Sequence, residues 1–235
     1  MNTEDTNLLI LLKETWDSVA ELMSSLSGED WLLPTDCPGW TVKDCFAHLI
    51  GIEQRLLGHS VPSITLSNED LTHTKNELGI ENQIDVVLRR PTPTKELIEE
   101  YKFLTSERLD ILDQSDSFTR KRKAPDGRTV NERELISIRI LDCWVHEQDI
   151  RRAIGRPGNL SGSTATHVFS RLNKTMPFIL GKKVKLKNGC TAQFVIQGDY
   201  AETISIGSYA GRAREIDDLD NPSVGLKMNC ETYLL

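Results

Sequence analysis

Two stretches of this chain carry residues able to grip a small cation. The first is Thr41-Val-Lys-Asp-Cys-Phe-Ala-His48, the second Asp142-Cys-Trp-Val-His146. In a helix a residue and its fourth neighbour share a face, one turn apart. Asp142 and His146 therefore stand side by side, and His48 on a facing helix would make a set of three. Three protein ligands would leave one position open for water or a thiolate. A second grouping competes at equal spacing. Cys45-x-x-His48 and Cys143-x-x-His146 would close a Cys2His2 site, purely structural because protein fills all four positions. On a wheel of about 100° per residue, Asp142 falls at the centre of the inward face and Cys143 on its flank, which favours the open set.

The same wheel puts Leu135, Ile138, Asp142, Val145, His146, Asp149 and Ala153 on one side, and His48 with Thr41, Ile52 and Arg55 on another. Ionisable groups on an otherwise apolar stripe are costly unless paired or bound to a metal. The metal-free alternative is a structural polar network in which Asp142 or Asp149 pairs with Arg55. Glu147 points away and reads as exposed.

The elements that must position these residues are mostly helical. Leu8, Leu12, Trp16, Val19, Leu22, Met23 and Leu26 recur at helical spacing over 5–26. Leu33 to Gly39, with two prolines, is a rigid connector. Thr41 and Asp44 carry helix-start signals for a helix to Leu57, stopped by Gly58. Residues 58–92 read as a polar excursion with one short helix near 68–78. A third helix runs from Pro93-Thr94 to Leu112, a polar loop covers Asp113 to Thr129, and the longest helix spans Asn131 to Ile154 before Gly155-Arg156-Pro157-Gly158. Four such helices can bury their apolar faces as a bundle, an architecture that builds metal sites between helices.

After Gly158 the texture changes. A helix over 162–180 precedes an alternating Lys183-Val-Lys-Leu-Lys, an Asn188-Gly189 turn and a strand from Thr191 to Ile196. Glu202 to Ile206 and Gly225 to Cys230 read as further strands. The expected fold class is α+β: a four-helix bundle over 1–158 and a small α+β domain over 159–235. Glu231 to Leu235 reads as a helical turn cut short, as in a truncated frame, and a missing last helix would leave apolar sheet surface exposed.

Composition narrows the function classes. With 28 basic and 35 acidic residues the net charge is −7, and the densest basic cluster, Arg120 to Arg128, reads as a solvated loop, so nucleic acid is not an expected partner. The longest apolar run, Leu8 to Leu12, is too short for a bilayer, and the acidic start lacks a signal peptide's basic region. Five cysteines without a repeating framework suit reduced thiols in a cytoplasm. Ser-His-Asp groupings, phosphate-cradling glycine loops and dinucleotide fingerprints are missing.

The strings Cys37-Pro-Gly-Trp-Thr-Val-Lys-Asp-Cys-Phe-Ala-His48 and Asp142-Cys-Trp-Val-His146-Glu-Gln-Asp-Ile-Arg-Arg-Ala153 resemble the two signatures of the mycothiol-dependent maleylpyruvate isomerase family, one of the DinB-like metal-binding bundles. The resemblance covers the first 160 residues and extends more weakly into a sterol-carrier-like C-terminal domain. It implies a divalent metal, zinc, held by His48, His146 and Asp142. Asp142 stands where glutamate is also used, so the metal must sit about one methylene closer to the helix. Cys37, Cys45 and Cys143 then read as small buried residues, and Trp40 as a staple at the helix start. The implied co-substrate is mycothiol, whose metal-activated thiolate would isomerise a maleyl-type double bond or transfer sulfur to a small-molecule electrophile. Hydrolysis by a zinc-bound hydroxide and a non-catalytic binding protein with a structural metal are the alternatives. Asp149 would either orient a ligand histidine or pair with Arg152. Arg212 and Arg214 read as a solvated loop.

Overall fold

The computed structural model describes residues 2–114, 117–125, 127–217 and 219–234. It divides into two compact units, 1–157 and 158–235.

In the first unit α1 (Thr3–Ser24), α2 (Val42–Leu57), α5 (Thr94–Leu112) and α6 (Glu132–Ala153) form a bundle, with α1 and α2 each packed against both α5 and α6. The helix starts are chemically specified. Thr41 accepts the Asp44 amide while the Asp44 carboxylate accepts the Thr41 amide, so two otherwise unpaired donors are satisfied at once. Asn131 accepts the Glu134 amide at 2.8 Å and starts α6. Leu12, Trp16, Phe46, Leu49, Ile50, Leu97, Tyr101, Ile136, Ile140 and Trp144 fill the core. Large side chains of this kind contribute about 1.5–3 kcal/mol each when fully buried.

The segment 58–92 departs from the polar excursion expected of it. After a single turn, α3 (Asn68–Leu71), it forms α4 (Glu77–Arg89), thirteen residues packed along α2. Contact is close because Gly51 faces Asp85, where a Cβ would lie 2.3 Å from the Asp85 side chain. Asp85, fully buried, grips the Arg55 guanidinium at 2.9 Å. Arg55 is therefore committed to α4, and the network that would pair it with Asp142 or Asp149 does not form. The basic stretch is also not a plain loop: β1 (Lys121–Lys123) pairs antiparallel with β2 (Thr129–Asn131), and Arg122 turns inward to Glu132 at 3.0 Å.

The second unit holds α7 (Gly162–Asn173), a helical turn at Met176–Phe178 continued by a π-turn at Ile179–Lys183, and a four-stranded sheet. Its strands are β3 (Thr191–Gln197), β4 (Glu202–Tyr209), β5 (Arg212–Glu215) and β6 (Val224–Asn229), in the order β5-β4-β3-β6. β3 runs antiparallel to β4 and parallel to β6. Ala192, Phe194, Ile196, Ile204 and Ile206 are buried, as period-two alternation requires. The alternating lysines at 183–187 are not a strand. They close the π-turn, and Lys185 sits at φ 58°. The Asn188-Gly189 turn exists, with Gly189 at φ 81°, but the hairpin partner of β3 is β4, reached through 198–201. Arg212 and Arg214 lie on strand β5. A terminal helix covers Cys230–Leu234, and Leu235 lies outside the described residues.

Candidate metal centre

The capped α2 delivers His48 one turn and a half inside the bundle, and α6 delivers Asp142 and His146 opposite it. His48 Nε2 lies 3.5 Å from Asp142 Oδ2, and His146 Nε2 lies 3.9 Å from Asp142 Oδ1. The two imidazoles meet edge to face with centroids 4.9 Å apart. One donor atom from each of the three residues falls within 4.8 Å of the others. Ligands about 2.0–2.1 Å from a tetrahedral ion stand roughly 3.4 Å apart, so the set needs only a small contraction to accept one.

The closed sulfur set is not assembled. Cys143 lies on the opposite, core-facing side of α6, its sulfur 3.2 Å from Arg139 Nη2, and burial pushes its thiol up to about 12. Part of the stripe read as inward is in fact the wall of a cavity, lined by Leu135, Ile138 and Asp142. Val145 and His146 are half-buried, whereas Ile136, Ile140, Cys143, Trp144 and Ile150 form the core side. Glu147, expected at the surface, is fully buried on that core side against Ser18 and Arg151.

Asp142 is held by a neighbour that sequence reading passed over. Arg139, one turn before Asp142, bonds its Oδ2, donates to Glu53 at 2.9 Å and is itself buried. Burial alone would raise the Asp142 carboxyl, but the Arg139 charge and the His48 imidazole outweigh it and hold the group ionised, well below the usual carboxylate range. Burial would likewise lower the Arg139 pKa; the Cys143, Glu53 and Asp142 groups reverse that. The chain of charges continues from Glu53 through Arg108 at 3.9 Å to Glu132 and Arg122. Three carboxylates alternate with three guanidiniums, so the buried row is neutral and each charge has a partner, the condition under which buried ions are tolerated.

Asp149 takes both roles considered for it. Its Oδ2 lies 3.1 Å from His146 Nδ1, and its Oδ1 pairs with Arg152. With Nδ1–H committed to Asp149, Nε2 is the free donor facing Asp142. Burial lowers the His146 pKa, yet the Asp149 and Cys37 contacts override it and raise the group to about 10. His48 behaves oppositely: desolvation dominates and lowers its pKa, with Asp142 opposing. Its Nδ1 is buried and makes no hydrogen bond among the described residues.

Trp40, read as a staple at the helix start, also packs against the two imidazoles. Its ring lies 5.1 Å from His48 and 6.0 Å from His146, roofing both imidazoles. Its indole N–H donates to Gln83 on α4 at 2.9 Å, and His73 meets the same oxygen at 3.0 Å. Cys37 is also more than a small filler. It is half-buried, with its sulfur 3.7 Å from His146 Nδ1. A hydrogen bond from Cys45 holds its thiol down at about 6 against burial, with His146 adding to the shift, while Cys45 is pushed up.

Beside the donors opens a cavity of about 400 Å³. His48, Asp142 and Arg139 form its floor; Ile52, Leu56, Leu78, Leu135 and Ile138 supply apolar walls; Lys123, Ala124, Pro125 and Gly127 of the β1–β2 connection edge it. Two of the three grouped residues, His48 and Asp142, thus face a largely apolar chamber.

A family model for the mycothiol maleylpyruvate isomerase N-terminal domain matches residues 12–151, which contain all three donors. The chain belongs to this family. The mycothiol maleylpyruvate isomerase model thus spans α2 to α5 completely, with most of α1 and α6. Two solved structures share the fold. A crystal structure of a mycothiol-dependent maleylpyruvate isomerase is 13% identical with a TM-score of 0.56, covering 95% of this chain and 100% of that one. A histidine-to-alanine mutant of a mycothiol-dependent maleylpyruvate isomerase gives 12% and 0.55 with the same coverage. No curated protein sequence matches this chain. Among the described residues no helix is long and apolar enough to cross a membrane.

Proposed function

We propose that this chain binds a divalent ion, zinc, through His48, Asp142 and His146 and uses it to activate a low-molecular-weight thiol, mycothiol, toward a small electrophile. The observation that carries this reading is the approach of both Nε2 atoms to the two oxygens of Asp142, at 3.5 and 3.9 Å, beside a cavity that His48 and Asp142 line. The names of the structural relatives supply the thiol.

A divalent ion in that position would lower the pKa of a thiol so that it reacts as thiolate. The protein's own contribution is positioning. Arg139 keeps Asp142 ionised and fixes its plane. Asp149 holds the His146 tautomer, and Trp40 covers the imidazoles against water. The apolar walls take the body of the electrophile. Addition of the thiolate to an activated carbon–carbon double bond would push its electron pair onto the conjugated carbonyl and leave a single bond free to rotate; expulsion of the thiolate then restores the double bond as the isomer, while uptake of a solvent proton at the adjacent carbon gives the S-adduct. Neither outcome needs a protein nucleophile. Five unpaired cysteines accord with a reducing, cytoplasmic setting for such chemistry.

The test is to load the purified chain with zinc, add mycothiol and follow a panel of electrophiles, including maleyl-type acids. Consumption that requires both zinc and thiol, and that disappears in Asp142→Ala, is expected. Turnover of esters or amides without any thiol would replace this proposal by hydrolysis.

A further inference from the structure

The turn before α2 brings a second donor set to the other side of His146. The sulfurs of Cys37 and Cys45 and a His146 ring nitrogen lie within 4.8 Å of one another. Cys37 Sγ is 3.7 Å from His146 Nδ1 and 3.2 Å from Asp149 Oδ2. Cys45 is buried with its sulfur 3.6 Å from Thr35 Oγ1, while Cys37 is half-exposed and gives the cluster an entrance. A backbone bond from Trp40 N–H to Cys37 O at 3.0 Å closes the turn that aims Cys37 back at the helix.

Two thiols and an imidazole are a softer donor set than two imidazoles and a carboxylate, and thiolates select thiophilic ions such as monovalent copper. Metal–sulfur bonds of about 2.3 Å put two sulfurs roughly 3.8 Å apart around a tetrahedral ion, inside the 4.8 Å within which the cluster's donor atoms lie. We propose that Cys37, Cys45 and His146 Nδ1 form a second metal site, for a thiophilic ion of the monovalent copper and cadmium class. Binding forms two metal–sulfur bonds and one metal–nitrogen bond and releases the thiol protons and the Nδ1 proton to solvent; nothing is oxidised or reduced. His146 is common to both sites through different nitrogens. The first site keeps Nδ1–H on Asp149, whereas the second takes the Nδ1 lone pair, so filling one disfavours the other.

The probe is Cd2+ added to the purified full-length chain, read by thiolate-to-metal charge-transfer absorption. Wild type is expected to develop a band that saturates at a single ion per chain. Cys37→Ser and Cys45→Ala should each remove roughly half of it or more, since the band reports bound thiolates. Cys143→Ala and Cys190→Ser should leave it intact. Asp142→Ala should also keep the band, so failure of the first site would not be mistaken for failure of this one. No band in wild type, full amplitude in Cys37→Ser, or loss confined to Cys143→Ala or Cys190→Ser overturns the proposal. Should Cys45→Ala not fold, the half-exposed Cys37→Ser decides the matter alone.

Discussion

Asp149 would tune the affinity of the proposed ion without touching it. It contacts His146 at 3.1 Å and fixes which nitrogen is free. Losing such a supporting hydrogen bond typically weakens metal binding about 10–100-fold. Asp149→Asn is therefore expected to lower zinc affinity by that factor in competition with a chromophoric chelator; an unchanged affinity would show that Nδ1 is fixed otherwise. Protons give a second reading of the same residue. His146 is held at about 10, so at pH 7 it is protonated without metal, while burial already keeps His48 low. A ligand imidazole must surrender its Nε2 proton. Zinc binding at pH 7 should then release about one proton and tighten as pH rises toward the His146 value. Calorimetry in buffers of different ionisation enthalpy measures this; zero released protons would contradict it. That Asp142, His146 and His48 meet was legible in sequence from residue type and, for the first two, from i,i+4 spacing. Arg139, Glu53, Gln83 and Trp40 were not. Arg139 alone left a signal, its position three residues before Asp142 on the same helix.

At the scale of elements, the surprise is α4. Leu78, Ile80, Ile84, Val86, Val87 and Leu88 recur along it, apolar positions that the reading of 58–92 as a polar excursion passed over, and Asp85, Gln83 and Val86 are fully buried. Gly51 makes the approach of α4 to α2 possible. Gly51→Ala would place a methyl 2.3 Å from Asp85 and force the helices apart. Overpacking of this kind costs about 1–3 kcal/mol, visible as a lower denaturation midpoint, and Leu78 and Asn82 would withdraw from the cavity wall. Wild-type stability in this variant would mean that α4 is not seated as described. The helices α2, α5 and α6 were readable to within a residue or two: α2 and α6 start on side-chain caps, Thr41 with Asp44 and Asn131, and α5 starts directly after Pro93, which caps with no side chain. The strand read into 183–187 failed because alternation of lysines carries no buried face, and β1, β2 and β5 are too short to leave a period.

At the scale of the molecule, two units each carry their own buried core, and all three proposed donors come from the helical one. Ligand binding to the native state stabilises by mass action, about 2.7 kcal/mol when the free ion is a hundredfold above its dissociation constant. Zinc should therefore raise hydrogen-exchange protection in α2 and α6. A gain centred instead on β3 and β4 would locate the ion in the other unit. The family match over 12–151 follows the helical unit, and low identity to the structural relatives leaves the fold as the shared feature.

The most direct measurement is zinc-edge X-ray absorption on the zinc-loaded chain. The account predicts nitrogen and oxygen neighbours only, at about 2.0–2.2 Å, with outer-shell scattering from two imidazoles. A sulfur shell at about 2.3 Å, or the signature of a single imidazole, would contradict the assignment of zinc to His48, Asp142 and His146.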